Sequence, residues 1–204
     1  MHDGRRERRR HGYTQNMEEL YILENSLPMG RFLDIGAYDG VTFSSTRALA
    51  ERGWSGVYVE PDPKIVERLR ENTKYFATDI HAVAIGNTPG NAMFYSCDDM
   101  VGSLDVSHVA KWSRNNNLTF TPIVVPVWTI QKLEETVGTK FDFVNLDVEG
   151  LNWSIFQQFN WNVWRPKVVC IEYDNHLHEI CDVLRRHGYK IVYVSPENVV
   201  ATLS

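Results

Sequence analysis

The feature that most constrains this chain is residues 31–62, RFLDIGAYDGVTFSSTRALAERGWSGVYVEPD. Two apolar runs enclose a pair of glycines and a helical pattern. The first run stops at Gly36, Gly40 follows, a helix is predicted over residues 41–52, and the second run ends in Glu60. Strand, glycine turn, helix, strand and acid, in this order, are typical of a nucleotide-binding βαβ unit.

At three positions in this unit, the chemistry of a nucleotide site explains the residue type or the local structure. Gly36 lets the backbone approach a ligand closely, because a Cβ there would collide with it. A helix that begins after Gly40 directs its N-terminal amides and positive dipole end towards the strand ends. Glu60 follows the glycines by about 20 residues, where a carboxylate can accept both hydroxyls of a ribose. The unit therefore predicts a nucleotide site at the glycine turn.

Strands and helices alternate along the rest of the chain. Helical periodicity predicts helices over residues 17–27, 64–72, 129–137, 151–159 and 177–187. Apolar runs predict strands over residues 79–85, 91–96, 123–127, 141–146, 167–171, 189–194 and 198–201. Pro126 favours a sheet edge for its strand. This alternation predicts an α/β fold with a Rossmann-like, doubly wound, mostly parallel sheet and an antiparallel C-terminal edge.

Acidic residues lie at the carboxyl ends of four of the predicted strands. They are Asp34 and Asp39, Glu60 and Asp62, Asp147 and Glu149, and Glu172 and Asp174. In a doubly wound sheet the ligand binds beyond the carboxyl ends of the strands. We therefore expect these acids to form one rim that binds hydroxyls, cations or a sulfonium.

Charge and cysteine content exclude several classes of protein. The chain has 204 residues, 43% of them hydrophobic, which suits one domain with a three-layer core. The net charge is −5, but the first twelve residues carry five arginines against two acids, so the remainder stands at −8 and is a poor polyanion binder. Three cysteines without a C-x-x-C pair disfavour a disulfide framework. Without a long apolar stretch or a signal-peptide pattern, we expect a cytoplasmic protein with no transmembrane segment.

The arginine run and one long loop define the expected domain organisation. We expect residues 1–15 to be a disordered basic tail and residues 16–204 to form a single domain. Residues from about 98 to 120 combine a short helical pattern around Trp112 with an asparagine run. A loop of this length inside a compact domain is usually functional or mobile. We expect it to form a lid over the active site.

Taken together, these motifs resemble the FkbM-type methyltransferases, a branch of the class I S-adenosylmethionine (SAM)-dependent O-methyltransferases. Residues 34–63, DIGAYDGVTFSSTRALAERGWSGVYVEPDP, resemble the family's first motif, its helix and its ribose-binding acid. FDFVNLDVEG, residues 141–150, resembles its second signature, although members often have lysine or serine in place of Asn145. KVVCIEYD, residues 167–174, with the following helix and GYKIVYV, resembles the end of the domain. The resemblance implies the class I SAM methyltransferase fold and SAM as the cofactor.

The resemblance also implies a set of cofactor-binding residues. Asp34 is expected to hold the backbone of the glycine turn or the ammonium group of SAM. Ser44 and Thr46 are expected near the SAM carboxylate, and the strand end around His81 and Ala82 near the adenine. The expected cofactor-binding residues are Asp34, Gly36, Ala37, Asp39, Gly40, Ser44, Thr46, Glu60, Pro61, His81 and Ala82.

The acids of the second signature are the main candidates for catalysis. The expected catalytic residues are Asp147, Glu149, Glu172 and His176. In one arrangement Asp147 is the general base or binds the acceptor hydroxyl, and Glu149 helps to start the following helix. In the other, both join Glu172 in holding a divalent cation such as Mg²⁺, which lowers the pKa of the acceptor. The metal-free arrangement is favoured because no further acids lie close by in sequence.

Histidines provide further candidates for the general base. Besides His176, they are His108 in the expected lid and His178 in the helix that follows.

The sequence thus predicts a SAM-dependent O-methyltransferase that acts on a hydroxyl of a sugar, glycan or small natural product. Its expected partner is a small-molecule or carbohydrate acceptor and not nucleic acid. An RNA methyltransferase would explain the arginine tail, but the rest of the chain lacks a basic face with interleaved aromatic residues. A non-catalytic partner subunit with the same fold is the other alternative, although a scaffold needs neither the cofactor acids nor Asp147 and Glu149. The acceptor and the oligomeric state stay open.

Overall fold

The structure, a computed structural model, describes residues 12–97, 100–116 and 118–204, without the side chains of residues 115 and 116. The expected basic tail over residues 1–11 lies outside this description. Residues 12–15, which the sequence assigned to the tail, contact the domain: the Tyr13 hydroxyl donates to Glu51 over 2.7 Å, and Thr14 Oγ1 accepts the Glu19 N–H over 3.1 Å. Within the described ranges, every helix is too short or too polar to cross a membrane.

Seven helices and ten strands make up the described part of the chain. The helices are α1 (Glu18–Asn25), α2 (Arg47–Glu51), α3 (Pro63–Thr73), α4 (Val106–Asn116), α5 (Ile130–Val137), α6 (Asn152–Phe156) and α7 (Leu177–Arg186). The strands are β1 (Arg31–Ile35), β2 (Ser55–Val59), β3 (Thr78–His81), β4 (Ala84–Ile85), β5 (Gly90–Ser96), β6 (Thr121–Trp128), β7 (Phe143–Leu146), β8 (Val168–Glu172), β9 (Tyr189–Val194) and β10 (Asn198–Leu203).

The main sheet has seven strands in the order β3-β2-β1-β7-β8-β10-β9. β10 alone runs opposite to the other six strands, and it lies between β8 and the edge strand β9. Alternate side chains of β1 face opposite layers: Phe32 packs with α1, α2 and α3, whereas Leu33 and Ile35 pack with α5, α6 and α7. The predicted α/β, doubly wound, mostly parallel architecture is confirmed.

A second, three-stranded sheet corrects the strand prediction for residues 79–96. The strand predicted over residues 79–85 is divided into β3 of the main sheet and β4 of the small sheet, whose order is β4-β6-β5. β5, which covers the strand predicted over residues 91–96, is antiparallel to β6 along its length. β6 is therefore the middle strand of the small sheet, and not an edge strand as Pro126 had suggested. Since β4 pairs with β6 only at Val127 and Trp128, β6 has a single neighbour at Pro126, which accommodates the proline.

The helix predicted directly after Gly40 begins six residues later and has only five residues. The carboxylate of Asp39 accepts the backbone N–H groups of Val41 and Thr42 over 2.9 and 2.7 Å, which holds this segment in turns. The backbone N–H groups that follow Gly40 therefore belong to turns, and not to the first turn of a long helix as predicted. Side-chain capping by aspartate competes with helix formation here, because it offers the backbone N–H groups another partner.

The turn after β1 lies directly against the backbone that follows β7. Gly36 has φ +85°, and a Cβ at this position would lie 1.6 Å from the carbonyl oxygen of Asp147. The backbone N–H of Asp147 donates to Ile35 over 2.9 Å, so the ends of β1 and β7 are joined at the same point. The glycine is thus required by the approach of two backbone segments, whereas the contact with a ligand that the sequence suggested stays a prediction.

We predict that Gly36→Ala destabilises the fold far more than a glycine substitution that introduces backbone strain alone. Gly188 provides the control, because it also has a positive φ of +87° but its Cβ would have 3.8 Å to the nearest atom. Left-handed alanine should cost about 1–2 kcal/mol at Gly188, and the clash should raise the cost at Gly36 to about 3 kcal/mol or more. Chemical denaturation measures both free energies of unfolding, and equal losses would contradict the clash.

Candidate active site

A deep cleft lies beyond the carboxyl ends of β1, β2, β7 and β8. Its empty volume, including the mouth that opens to solvent, is about 1260 Å³. Nine of the predicted site residues line it: Asp34, Gly36, Ala37, Ser44, Glu60, Pro61, Asp147, Glu149 and Glu172. Six do not: Asp39, Gly40, Thr46, His81, Ala82 and His176. Of the eight acids expected at the rim, six line the cleft, and Asp39 and Asp174 do not.

Asp34 anchors the floor of the cleft and is only 2% exposed. One carboxylate oxygen accepts the Thr46 hydroxyl over 2.5 Å, and the other accepts the amide of Asn145 over 2.9 Å. Burial raises the pKa of Asp34 to about 6, although the hydrogen bonds with Thr46 and Asn145 act to lower it. Asp34 therefore holds two neighbouring elements in place, and not the backbone of the glycine turn as expected.

Glu60 follows β2 directly and lies beside the glycine turn. One oxygen accepts the backbone N–H of Tyr38 and the other that of Asp62, both over 3.0 Å. The residue is 7% exposed, and burial raises the pKa of Glu60 to about 7. A carboxylate oxygen has two acceptor positions, so each oxygen retains capacity for one more donor. Glu60 is thus fixed in place with room to accept a pair of hydroxyls.

Three carboxylates converge at the ends of β7 and β8. Oxygens of Asp147, Glu149 and Glu172 all lie within 4.8 Å of one another. Burial is the main reason that the pKa of both Asp147 and Glu172 is raised. Repulsion by Glu149 raises the pKa of Asp147 further, and repulsion by Asp147 does the same for Glu172. The pair therefore retains a proton more readily than separate carboxyls would.

The segment predicted as a lid contacts this acidic cluster directly. The hydroxyl of Ser103 donates to the carbonyl oxygen of Glu149 over 2.6 Å. His108 on α4 has its Nε2 atom 3.2 Å from a carboxylate oxygen of Glu149. A Cβ at Gly150 would approach His108 Cβ to 3.2 Å, so glycine permits this close contact. The lid prediction itself concerns motion and stays a prediction, and residues 98, 99 and 117 lie outside the described chain.

Several predicted site residues have structural roles outside the cleft. His176 precedes α7 and stacks on Trp153 with ring centroids 5.3 Å apart, and its side chain is 39% exposed. His81 packs against Trp128 at 5.2 Å. A Cβ at Gly40 would lie 2.7 Å from Leu69, which explains the glycine by packing. Since β3 ends before the cleft, Val83, Ala84 and Ile85 line the position expected for His81 and Ala82.

Two asparagines hold the acids and were not predicted as site residues. Asn145 donates to Asp34, and Asn152 accepts the backbone N–H of Val148 over 2.8 Å while donating to Glu172 over 2.5 Å. Both are buried. The sequence does contain a signal for this role, because Asn145 and Asn152 stand on either side of the two acids of the second signature, Asp147 and Glu149. Such a neighbour can donate to a carboxylate without adding charge.

Comparison with known proteins identifies related folds. The family model described as "Methyltransferase FkbM domain" matches residues 34–191. The chain is similar to a precorrin-6y C5,15-methyltransferase from Geobacter metallireducens GS-15, with a TM-score of 0.50 and 12% identity over 91% of this chain and 87% of that one. It is also similar to the methyltransferase FkbM from Methylobacillus flagellatus KT, with a TM-score of 0.48 and 12% identity over 86% of this chain and 44% of that one. No curated protein sequence matches.

The ribosomal protein L11 methylase from Lactobacillus delbrueckii subsp. bulgaricus is a third similar structure, with a TM-score of 0.49 and 12% identity over 93% of this chain and 79% of that one. At such identities the likeness concerns the fold alone. With the strand order described above, the fold is that of the class I SAM methyltransferases. The chain spans less than half the length of the Methylobacillus protein.

We predict that Glu60 causes part of a decrease in the free energy of unfolding as the pH rises. A carboxyl whose pKa is higher in the folded than in the unfolded state stabilises the fold at low pH, and this stability is lost as the pH rises through the folded-state pKa. For Glu60 the window runs from its ordinary value of 4.5 to about 7. Glu60→Gln should therefore reduce the loss of unfolding free energy between pH 5 and pH 8 by about 1 kcal/mol or more.

Thermal or chemical unfolding at several pH values measures this difference. Glu67→Gln on α3 is the control, because Glu67 is exposed. Its pH profile should follow that of the wild type. Identical pH profiles for the Glu60 and Glu67 variants would contradict the raised pKa of Glu60.

Proposed function

Since this chain belongs to the FkbM methyltransferase family, we propose that it transfers a methyl group from SAM to a hydroxyl of a sugar, glycan or small natural product. The observation that carries the proposal is one cleft in which Glu60 and the Asp147–Glu172 pair lie together. Glu60 is suited to bind the ribose of a nucleoside. The Asp147–Glu172 pair is suited to take the proton of an acceptor hydroxyl.

The residues present fit SAM by the chemistry of their donors and acceptors. The free acceptor positions of Glu60 suit the two ribose hydroxyls. Apolar side chains of Val83, Ile85 and Phe94 line the same cleft and suit the adenine ring. When bound, SAM supplies a methyl group on a positively charged sulfur, which is electrophilic. The protein's own contribution is then position, electrostatics and removal of a proton.

Asp147 is the residue suited to take that proton. Its Oδ1 atom is shielded from solvent and has no hydrogen-bond partner among the described residues. A positive charge bound in the cleft lowers the pKa of Asp147 and Glu172, because it stabilises their ionised forms. Ionised Asp147 then accepts the acceptor's proton as the oxygen gains the methyl group. A base whose pKa is raised towards neutrality does this more effectively than an ordinary aspartate.

A divalent cation is the alternative at the same place. Three oxygens from Asp147, Glu149 and Glu172 lie within 4.8 Å of one another, a spacing that suits a hard cation such as Mg²⁺. A cation there would lower the pKa of the acceptor hydroxyl, and Asp147 would be a ligand in place of a base. Both arrangements assign the chemistry to the same residue, and chelation distinguishes them.

We predict that Glu60→Gln weakens SAM binding by roughly 10- to 150-fold, because a charge-assisted pair of hydrogen bonds is lost. Isothermal titration calorimetry with SAM measures the change. Glu67→Gln removes the same charge from the exposed face of α3 and should bind SAM as the wild type does. Wild-type affinity in the Glu60 variant would remove Glu60 from the cofactor site.

We predict that Asp147→Asn lowers methyl transfer by roughly 10²- to 10⁴-fold while SAM still binds, because the proton acceptor is lost and the shape is kept. Transfer of radiolabelled methyl groups to a pool of hydroxylated carbohydrates and calorimetry with SAM separate the two effects. Asp182→Asn on the exposed face of α7 is the matched control. An active Asp147 variant would refute both arrangements, and activity unchanged by EDTA would refute the metal-dependent one.

A further inference from the structure

The loop between β7 and α6 carries two of the three acids that converge in the cleft, Asp147 and Glu149. Glu149 has φ +44° and the following Gly150 has φ +91°. A left-handed residue other than glycine persists only where the surrounding contacts hold the backbone in place. One of these contacts comes from Asn152, the first residue of α6, whose side chain turns back onto the loop.

The side chain of Asn152 joins this loop to the end of β8. Its Oδ1 atom accepts the backbone N–H of Val148 over 2.8 Å, and its Nδ2 atom donates to Glu172 over 2.5 Å and to Asp174 over 3.2 Å. The residue is fully buried. A backbone N–H can only donate, so the amide oxygen must face Val148 and the amide nitrogen must face the two carboxylates. The amide therefore has a single orientation.

This orientation bears on the oxygens that face the reaction. Glu172 is held through its Oε2 atom by the N–H of Asn152. Oxygens of Glu172 and Asp147 lie within 4.8 Å of each other. Asp147 Oδ1 is shielded from solvent and accepts no hydrogen bond from the described part of the chain. If Glu172 rotated freely, its carboxyl would compete for this oxygen or move away from it. Asn152 prevents both.

Gln158, two residues after α6, makes the same kind of contacts in another place. Its Oε1 atom accepts the backbone N–H of Ile130 over 3.1 Å, and its Nε2 atom donates to Gly86 over 3.2 Å and to Asn87 over 2.9 Å. Each of the two amides thus accepts one backbone N–H and donates to two oxygens. The oxygens that Gln158 contacts belong to neutral carbonyl groups, whereas Asn152 contacts carboxylates. Gln158 therefore shows what such an amide contributes to folding alone.

We propose that Asn152 is a positioning residue of the methyl transfer, because its amide fixes Glu172 beside Asp147 and leaves Asp147 Oδ1 without a competing partner. This inference rests on the proposed function. It applies to both arrangements of the acids, since a general base and a cation site each require the two carboxylates in one fixed geometry. A misplacement of about 1 Å is enough to lower a rate by roughly 100-fold.

Asn152→Leu and Gln158→Met test this role, because each replaces an amide by an apolar side chain of similar shape and removes three hydrogen bonds. Radiolabelled methyl transfer to the carbohydrate pool gives kcat. Calorimetry gives the Kd of SAM and the number of SAM sites per chain, which corrects kcat for unfolded protein. For Asn152→Leu we expect kcat per site to fall by roughly 10- to 100-fold, with Kd within about 2-fold of the wild type. Gln158→Met should change neither value by more than about 2-fold.

Equal values of kcat per site in the two variants would overturn the proposal. A loss of SAM affinity that accounts for the slower transfer would overturn it as well. Asn152→Ser is a second variant, since a hydroxyl fits the space but is too short to reach both the loop and β8. It should lose kcat in the same way. Failure of both Asn152 variants to fold would make Asn152 a purely structural residue and would refute the proposed role.

Crystal structures of the SAM-free variants separate this inference from the function on which it rests. In Asn152→Leu the Glu172 carboxyl should lie about 1 Å or more from its wild-type position relative to Asp147, and in Gln158→Met it should not move. If SAM does not bind, or if no carbohydrate is methylated by the wild type, the proposed function fails. The displacement then still tests the inference, and an unchanged Glu172 carboxyl in Asn152→Leu would overturn it.

Discussion

The site depends on one close contact between two backbone segments, that of Gly36 with the carbonyl group of Asp147. The N–H groups of Gly36 and Ala37 donate to Val59 over 3.0 and 3.2 Å, so the same turn also joins the end of β2. Three parallel strands are thereby fixed at their carboxyl ends within one small region. Their last residues bring Asp34, Glu60 and Asp147 to a common cleft. A side chain larger than hydrogen at position 36 would separate them.

Several carboxyl groups so close together oppose folding, because each must leave water near other negative charges. The chain offsets this cost with neutral donors in place of cations. Asn145 and Thr46 hold Asp34, Asn152 holds Glu172, and backbone N–H groups hold Glu60. Lysine or arginine partners would stabilise the acids more, but they would also cancel the charge that a cationic ligand requires. Stability and binding are thus in conflict at this site, as is common for functional regions.

The segment before α4 adds Met100, Gly102 and Leu104 to the cleft wall, and its Ser103 hydroxyl donates to the Glu149 backbone. His108 reaches the carboxylate of the same residue, and Glu149 itself has φ +44°, an uncommon value outside glycine. Any displacement of α4 would therefore alter the environment of the acidic cluster. This contact links the least regular segment of the sequence to the residues that we assign to chemistry.

The sequence by itself determined the layered α/β fold, the glycine turn and the position of an acid at each strand end, because these depend on local patterns of period and spacing. It did not determine which acids face the cleft. Nor did it determine that His176 and His81 pack against Trp153 and Trp128 and not in the cleft. The helix predicted after Gly40 is shorter than expected because Asp39 accepts backbone N–H groups there. The tertiary structure alone decided that Gly36 meets Asp147 and that Asn145 meets Asp34. Each of these contacts joins residues 111 positions apart along the chain, where no local pattern operates.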